Sequence, residues 1–344
     1  MFNIDEKYTY NFPTRIRFGA GVISELPDYL KENGLKAPLI VTDSVVAKLD
    51  FMDLITENLE SNDISPVMFS GIHKNPVRTD VVKGGEVFDE CKCDSIIGIG
   101  GGAALDVARA VALIVNHKEK DLLEYDELIG GDRYIKNQIP HFITVPTTAG
   151  TGSEVGRSAI ISDDETHRKR ILFHPSLMAK IVFADPSLTL NLPPNITAAT
   201  GMDALTHHME AYLAKNYHPM CEGIALEGMS MIACSIEKAV NTPDLTARGM
   251  MLMASLMGAV AFQKGLGVVH SLSHPLSSLL DTHHGLANAV NLPYGMRFNY
   301  SGNEGKFNRM AQALGVKSGE LVIDYLFRLN KNIWLPANLG EIGV

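Results

Sequence analysis

The sequence predicts an α/β domain built on a mostly parallel sheet, followed by an all-α domain. Three observations lead there. Short β-branched runs alternate with amphipathic stretches through the first half, the pattern of strands covered by helices on both faces. A segment dense in turn formers, Asp-Pro-Ser-Leu-Thr-Leu-Asn-Leu-Pro-Pro-Asn at 185–195, then interrupts the alternation. Beyond it strand signals vanish and apolar residues recur with helical spacing. The boundary is set near residue 190, giving an α/β domain over 1–190 and a helical domain over 191–344.

In order, Pro38–Val41 reads as a strand, Val45–Asn58 as a helix and Ser95–Ile99 as a buried strand. Ala103–Val115 follows as a helix and His141–Val145 as a strand. In the second half, Thr197–Ala214, Met220–Val240, Leu245–Phe262 and Ser318–Asn330 read as helices. Met250, Met251, Met253 and Met257 sit at helical spacing and fit a core filled by adaptable side chains. There is no internal repeat, low-complexity tract or heptad seam.

Bulk properties narrow the function. The 344 residues are 46% hydrophobic and 20% charged, which describes a folded chain rather than a disordered one. Thirty basic against thirty-nine acidic side chains leave a net charge of −9 with no basic cluster, so neither nucleic acid nor an anionic membrane is an expected partner. The first residues lack the apolar run of a signal peptide, and no uninterrupted apolar stretch approaches a membrane span. Cys91, Cys93, Cys221 and Cys234 match no zinc or redox spacing, and reduced thiols in a cytoplasmic protein are expected.

The sharpest chemical signal lies in the helical half. Asp203 and His207 are four apart and share one helix face. His270 and His274 repeat that spacing, and His283 and His284 are adjacent. Six of the twelve histidines fall in these three short segments. Imidazole nitrogens with one carboxylate suit Fe, Zn, Co or Ni, whereas calcium or magnesium would want oxygens. Buried histidines also serve as hydrogen-bonded core residues, the reading given to His73, His117, His141 and His167. Pro275 and Gly285 suggest a break between helices beside the clustered histidines.

A second signal lies in the α/β half. Ile-Ile-Gly-Ile-Gly-Gly-Gly-Ala-Ala-Leu-Asp runs from strand through Gly100, Gly101 and Gly102 into a helix. Such a turn lets backbone approach a pyrophosphate at a helix N-terminus. Gly98, Gly100 and Ala103 satisfy a loose G-x-G-x-x-A, without the acidic residue usual some twenty positions on, so a plain tight turn stays an alternative. The next strand ends in Val-Pro-Thr-Thr-Ala-Gly-Thr-Gly-Ser-Glu, where Thr147, Thr148 and Thr151 add hydroxyl donors. Two such loops at neighbouring strand ends form a ligand position of open α/β sheets. Asp43, ending Leu-Ile-Val-Thr-Asp, reads equally as a ribose-binding acid favouring NAD over NADP or as a turn residue.

Taken together these segments resemble the iron-containing (group III) alcohol dehydrogenase family. The resemblance runs from Phe-Gly-Ala-Gly at 18–21 to the last residues, Leu-Pro-Ala-Asn-Leu-Gly-Glu-Ile-Gly-Val at 335–344. Its carriers are Gly-Gly-Gly at 100–102 with Asp106, Thr-Thr-Ala-Gly-Thr-Gly-Ser-Glu at 147–154, Gly-Met-Asp-Ala-Leu-Thr-His at 201–207 and the stretch from Gly265 to His-His-Gly at 283–285. It implies a dinucleotide-binding α/β domain, a helical domain and a divalent metal in the cleft between them. Asp203, His207, His270 and His284 would be the ligands, Fe(II) being expected and Zn admitted. His274 would either support the metal ligands or relay a proton outward, with His283 as a partner in the relay. Asn75, Gly101, Gly102, Thr147, Thr148 and Lys169 match dinucleotide contacts, Asp106 and Thr151 go with them, and Asp43 matches the NAD-favouring acid. Two departures stand out: Ala103 replaces the family's serine, and the family runs some forty residues beyond Val344, so a shortened helical domain is expected.

Within that family, the stretches at 154–161, 218–228 and 261–267 are similar to 4-hydroxybutyrate dehydrogenases. Arg157 and Lys264 then become candidates for a substrate carboxylate, set against ordinary solvation or a salt bridge. The expectation is an NAD-dependent dehydrogenase of short primary alcohols or hydroxy acids, cytoplasmic and dimeric. A hydroxyacid–oxoacid transhydrogenase, a dehydroquinate synthase-like lyase and a non-catalytic nucleotide-binding protein are the alternatives.

Overall fold

The computed structural model describes residue 12 and residues 14–344. In the α/β unit the chain runs through β1 (Arg15–Phe18), α1 (Leu26–Glu32), β2 (Pro38–Val41), α2 (Asp50–Glu60), β3 (Val67–Phe69) and α3 (Arg78–Glu90). It continues through β4 (Ser95–Gly100), α4 (Gly102–Ile114), β5 (His141–Pro146), β6 (Ser158–Ser162), β7 (Lys169–Phe173) and β8 (Ile181–Ala184). Six of these strands form one sheet in the order β1-β8-β5-β4-β2-β3, and every pair is parallel.

Strand alternation splits the side chains of this sheet into two cores. Leu39, Val41, Ile96 and Phe142 pack with Val81, Val107 and Val111 from α3 and α4. Ile40, Ile97, Ile99, Ile143 and Val145 pack on the opposite side with Leu26, Leu30, Met52 and Ile55 from α1 and α2. Each fully buried aliphatic side chain contributes about 1.5–3 kcal/mol, which is why β2, β4 and β8 read as unbroken apolar runs.

Two features of this unit differ from the sequence reading. The helix predicted over Val45–Asn58 divides into a short 3₁₀ turn at Val46–Lys48 and α2, because Leu49 is extended (φ −85°, ψ 140°). The antiparallel hairpin of β6 and β7, paired from Ser158↔Phe173 to Ser162↔Lys169, was not anticipated.

The helical unit comprises α5 (Pro194–Leu213), α6 (Pro219–Asn241), α7 (Leu245–Ala261), α8 (Val268–Leu280), α9 (His284–Tyr300), α10 (Glu304–Ala313) and α11 (Val322–Asn332). Proline opens α5 and α6, at the position where its missing N–H costs nothing. The break suggested by Pro275 and Gly285 lies between them: α8 runs through the proline to Leu280, and α9 opens at His284. The chain turns at Asp281, whose φ is 54°. The stretch Leu245–Lys264 is long and apolar enough, by length and composition, to cross a membrane. Its apolar residues also serve a core: Leu252, Ala254 and Ala261 are fully buried, and buried Arg248 bonds the carbonyls of Leu190 and Leu192.

Packing divides the chain into two units, one ending at Leu188 and one made of Thr189–Val344 together with Thr148–Gly152. That five-residue loop belongs to the helical unit. Gly152 (φ +62°) presses so closely on α7 that an added Cβ would stand 2.3 Å from the Cβ of Ala259.

Candidate active site

Three helices bring the predicted metal ligands together. α5 carries Asp203 and His207 one turn apart, α8 carries His270 and α9 opens with His284. The Nε2 atoms of His207, His270 and His284 lie 3.8, 3.9 and 3.6 Å from Asp203 Oδ1. Ligand atoms of Asp203, His270 and His284 all fall within 4.8 Å of one another. The rings of His207 and His270 stack at 4.8 Å. For comparison, tetrahedral bonds of about 2.1 Å place neighbouring ligands about 3.4 Å apart.

The protonation states suit a cation. Burial pushes His207 down to about 4 and His284 down to about 3, against the opposing pull of Asp203, so both imidazoles are neutral near pH 7 with lone pairs available. Burial would raise Asp203, but His207, His284, His270 and the Asn288 amide outweigh it and hold the carboxylate down to about 2. Glu210 accepts from His270 Nδ1 at 2.7 Å and from the backbone N–H groups of Gly267 and Val269. A carboxylate on Nδ1, with Nε2 turned toward Asp203, is the arrangement a metal-ligating histidine requires. A carboxylate with three imidazole Nε2 atoms therefore fits a divalent transition metal, with Glu210 orienting one of the rings.

His274 lies beside this cluster, its ring 5.9 Å from His270 and 5.4 Å from His284. His283 caps α9, where its Nδ1 accepts from the Leu286 N–H. Two groups that meet the predicted ligands escaped the sequence reading, Glu210 and Asn288. The first lies three residues after His207 and the second four after His284, spacings that put each on or near its ligand's helix face.

In the α/β unit, β4 delivers Gly100–Gly102 to the start of α4. The N-cap is Gly101, which has no side chain with which to cap the first turn. Gly100 adopts φ +149°, and an added Cβ would stand 2.7 Å from the Ala104 Cβ. Thr147 N–H bonds the Gly100 carbonyl, setting the two strand ends side by side. Asp43 takes the turn-capping part and lies beside the glycine turn. Its Oδ1 accepts from the N–H groups of Val45 and Val46, while Oδ2 lies 3.8 Å from where a Gly100 Cβ would be. Thr42 Oγ1, buried nearby, has no hydrogen-bond partner. An uncapped helix start, a glycine cradle and a buried unpartnered hydroxyl beside a carboxylate fit a dinucleotide.

Other predicted positions are more dispersed. Lys169 opens β7, where burial lowers its pKa and Asp106 opposes the shift. Asn75 lies in the loop between β3 and α3, and Thr148 and Thr151 lie in the loop that packs with the helical unit. Asp106 is occupied internally: it accepts from Ser153 Oγ (2.6 Å), Ile160 N (3.0 Å) and Arg109 (3.1 Å). Arg157 lies over the Phe173 ring at 5.3 Å. For Lys264 the structure shows the salt-bridge alternative. It is 1% exposed, and its ammonium bonds Glu222 at 2.7 Å and the Tyr212 carbonyl at 3.0 Å.

Comparison with known proteins accords with this geometry. The family model "Iron-containing alcohol dehydrogenase" matches residues 13–186, and "Fe-containing alcohol dehydrogenase family, C-terminal" matches 197–344. The chain belongs to the iron-containing alcohol dehydrogenase family and is an oxidoreductase. It is 36% identical to 4-hydroxybutyrate dehydrogenase of Cupriavidus necator over 342 residues, 96% of this chain and 88% of that one. The crystal structure of a 1,3-propanediol oxidoreductase superposes with a TM-score of 0.93 at 34% identity, covering 98% of this chain and 90% of that one. Sulfoacetaldehyde reductase from Bifidobacterium kashiwanohense, solved in complex with NAD+, superposes at 0.90 with 27% identity, covering 98% and 90%.

Proposed function

We propose that this protein is a metal-dependent, NAD-linked dehydrogenase of short primary alcohols or hydroxy acids, reversibly forming the aldehyde. The observation that carries the reading is the convergence of three histidine Nε2 atoms on Asp203 Oδ1 within 3.9 Å. Asp203, His207, His270 and His284 would hold the ion, Fe(II) or Zn, and Gly100–Gly102, Thr147, Thr148, Thr151, Asn75 and Lys169 the dinucleotide. When bound, the ion supplies Lewis acidity to the substrate hydroxyl and the nicotinamide accepts the hydride.

The chain's own groups do the rest. Glu210 keeps the His270 proton on Nδ1. His274, exposed at the edge of the cluster, carries the hydroxyl proton outward. Asp43 binds a ribose hydroxyl and disfavours a 2′-phosphate. Asp106 contributes by bracing the loop from Ser153 to Ile160. Arg157 is the remaining candidate for a substrate carboxylate, and the Cupriavidus necator relative supports 4-hydroxybutyrate as the first substrate to try. Four unpaired thiols accord with a cytoplasmic protein, and a homodimer completes the reading.

Substituting His284 by alanine should lower bound metal per chain at least tenfold and abolish NADH formation from alcohol and NAD, measured by elemental analysis and near-ultraviolet absorbance. Unchanged metal content and turnover would remove the site from the mechanism. A screen of 4-hydroxybutyrate against 1,3-propanediol and simple alcohols, with Fe(II) and with Zn, would fix the substrate class.

A further inference from the structure

Resting on that metal reading, we infer that Asn288 is a positioning residue that holds the ligand atoms convergent before an ion arrives. The residue is fully buried on α9, four positions after His284. Its carboxamide Nδ2 lies 2.7 Å from Asp203 Oδ1, 3.2 Å from His270 Nε2 and 3.1 Å from His284 Nε2. One nitrogen thus faces three ligand atoms drawn from three helices, the very set whose members lie within 4.8 Å of one another.

The chemistry explains why a carboxamide suits this place. Three acceptors pointed at one another, one of them anionic, repel unless a donor stands among them. His270 has its Nδ1 turned to Glu210 at 2.7 Å, so in the metal-ligating tautomer its proton lies there and Nε2 is an acceptor. Among the described residues, the Asn288 amide is the donor that all three share. A cationic side chain would compete with the incoming ion, and a hydroxyl has one proton for three acceptors; a carboxamide offers two protons and no net charge. Meanwhile Asn288 Oδ1 is buried without a hydrogen-bond partner. A side chain that leaves one end unsatisfied while bridging three acceptors with the other is oriented by those acceptors. Pre-forming a site in this way reduces the ordering cost of binding.

The competing reading makes the amide a filler that an ion must displace, and the two predict opposite signs. The test uses the full chain stripped of metal, titrated with Zn(II) against a chelator of known affinity, and the metal-free thermal midpoint as a second readout. Asn288→Ala should weaken zinc affinity tenfold to a hundredfold, the range typical of groups that orient metal ligands, and should lower the metal-free midpoint. Asn288→Ser, which keeps one donor, should recover part of both. Equal or tighter zinc binding by Asn288→Ala overturns the inference. If Asn288→Ala does not fold, the serine variant decides alone: weaker binding supports the inference and unchanged binding overturns it. Wild-type protein that binds no zinc would overturn the metal reading itself, a result distinct from wild type and variants binding alike.

Discussion

Glu154 is 1% exposed in the α/β unit, and its Oε1 has no hydrogen-bond partner. Burial pushes its carboxyl up to about 7, opposed by its own backbone N–H and by Arg109. The folded state therefore keeps a proton that the unfolded chain gives up near pH 4.5, so stability falls as pH rises from there through 7. Glu154→Gln removes that dependence: in urea melts, the loss of stability between pH 5 and pH 8 should shrink by on the order of 2 kcal/mol. Identical slopes for the two proteins would reject the buried, protonated carboxyl. Residues of this kind mark the limit of what sequence discloses. Asp203, His207, His270 and His284 were legible because histidine and aspartate at helical spacing are a chemical pattern in themselves. Lys264 stays between substrate contact and salt bridge in the sequence because its partner Glu222 lies 42 positions away in the chain. Asn288 went unseen because a carboxamide signals nothing until folding brings Asp203, 85 positions off, against it.

The same lesson recurs among elements. Runs of Ile and Val made β2, β4 and β5 plain, and the glycine-to-helix turn after β4 was located to within a residue. The β6–β7 hairpin is hidden in the sequence because β6 begins and ends in Ser, largely within the 154–161 motif, and β7 opens on Lys-Arg. Pro275 and Gly285 bracket the break between α8 and α9, but its exact place at Asp281 rests on a left-handed backbone that sequence does not locate. The loop Thr148–Gly152 gives the sharpest test at this level. Gly152 combines a left-handed φ with an Ala259 Cβ that would be 2.3 Å from any added methyl. Gly152→Ala should therefore lower stability by roughly 3 kcal/mol, combining left-handed strain with overpacking, as read from denaturant midpoints. A loss below about 0.5 kcal/mol, the scale of an ordinary surface change, would mean that the loop can lift from α7 at little cost.

Considered whole, the molecule should respond to its ion unevenly. Binding to the folded form alone at a hundredfold excess over Kd adds about 2.7 kcal/mol. Amide exchange in α5, α8 and α9 should accordingly quicken when a chelator removes the metal, while β4, β5 and α4 keep their protection. Uniform quickening would show that the ion stabilises both units together. Fold class was legible at this scale because the change from strand to helical periodicity follows the run of turn formers. The membership of Thr148–Gly152 was not, since neighbouring sequence assigns those residues to the sheet that precedes them. That membership bears on how the gene can be cut. Past residue 14 the backbone passes between the two units at 147–148, at 152–153 and at 188–189. A clone beginning at Thr189 would lack the five residues seated on Thr200 and Ala259, and one stopping at Leu188 would carry them with nothing to rest on. Neither half is a clean excision, so dissection of this enzyme calls for paired fragments rather than a single scissor point.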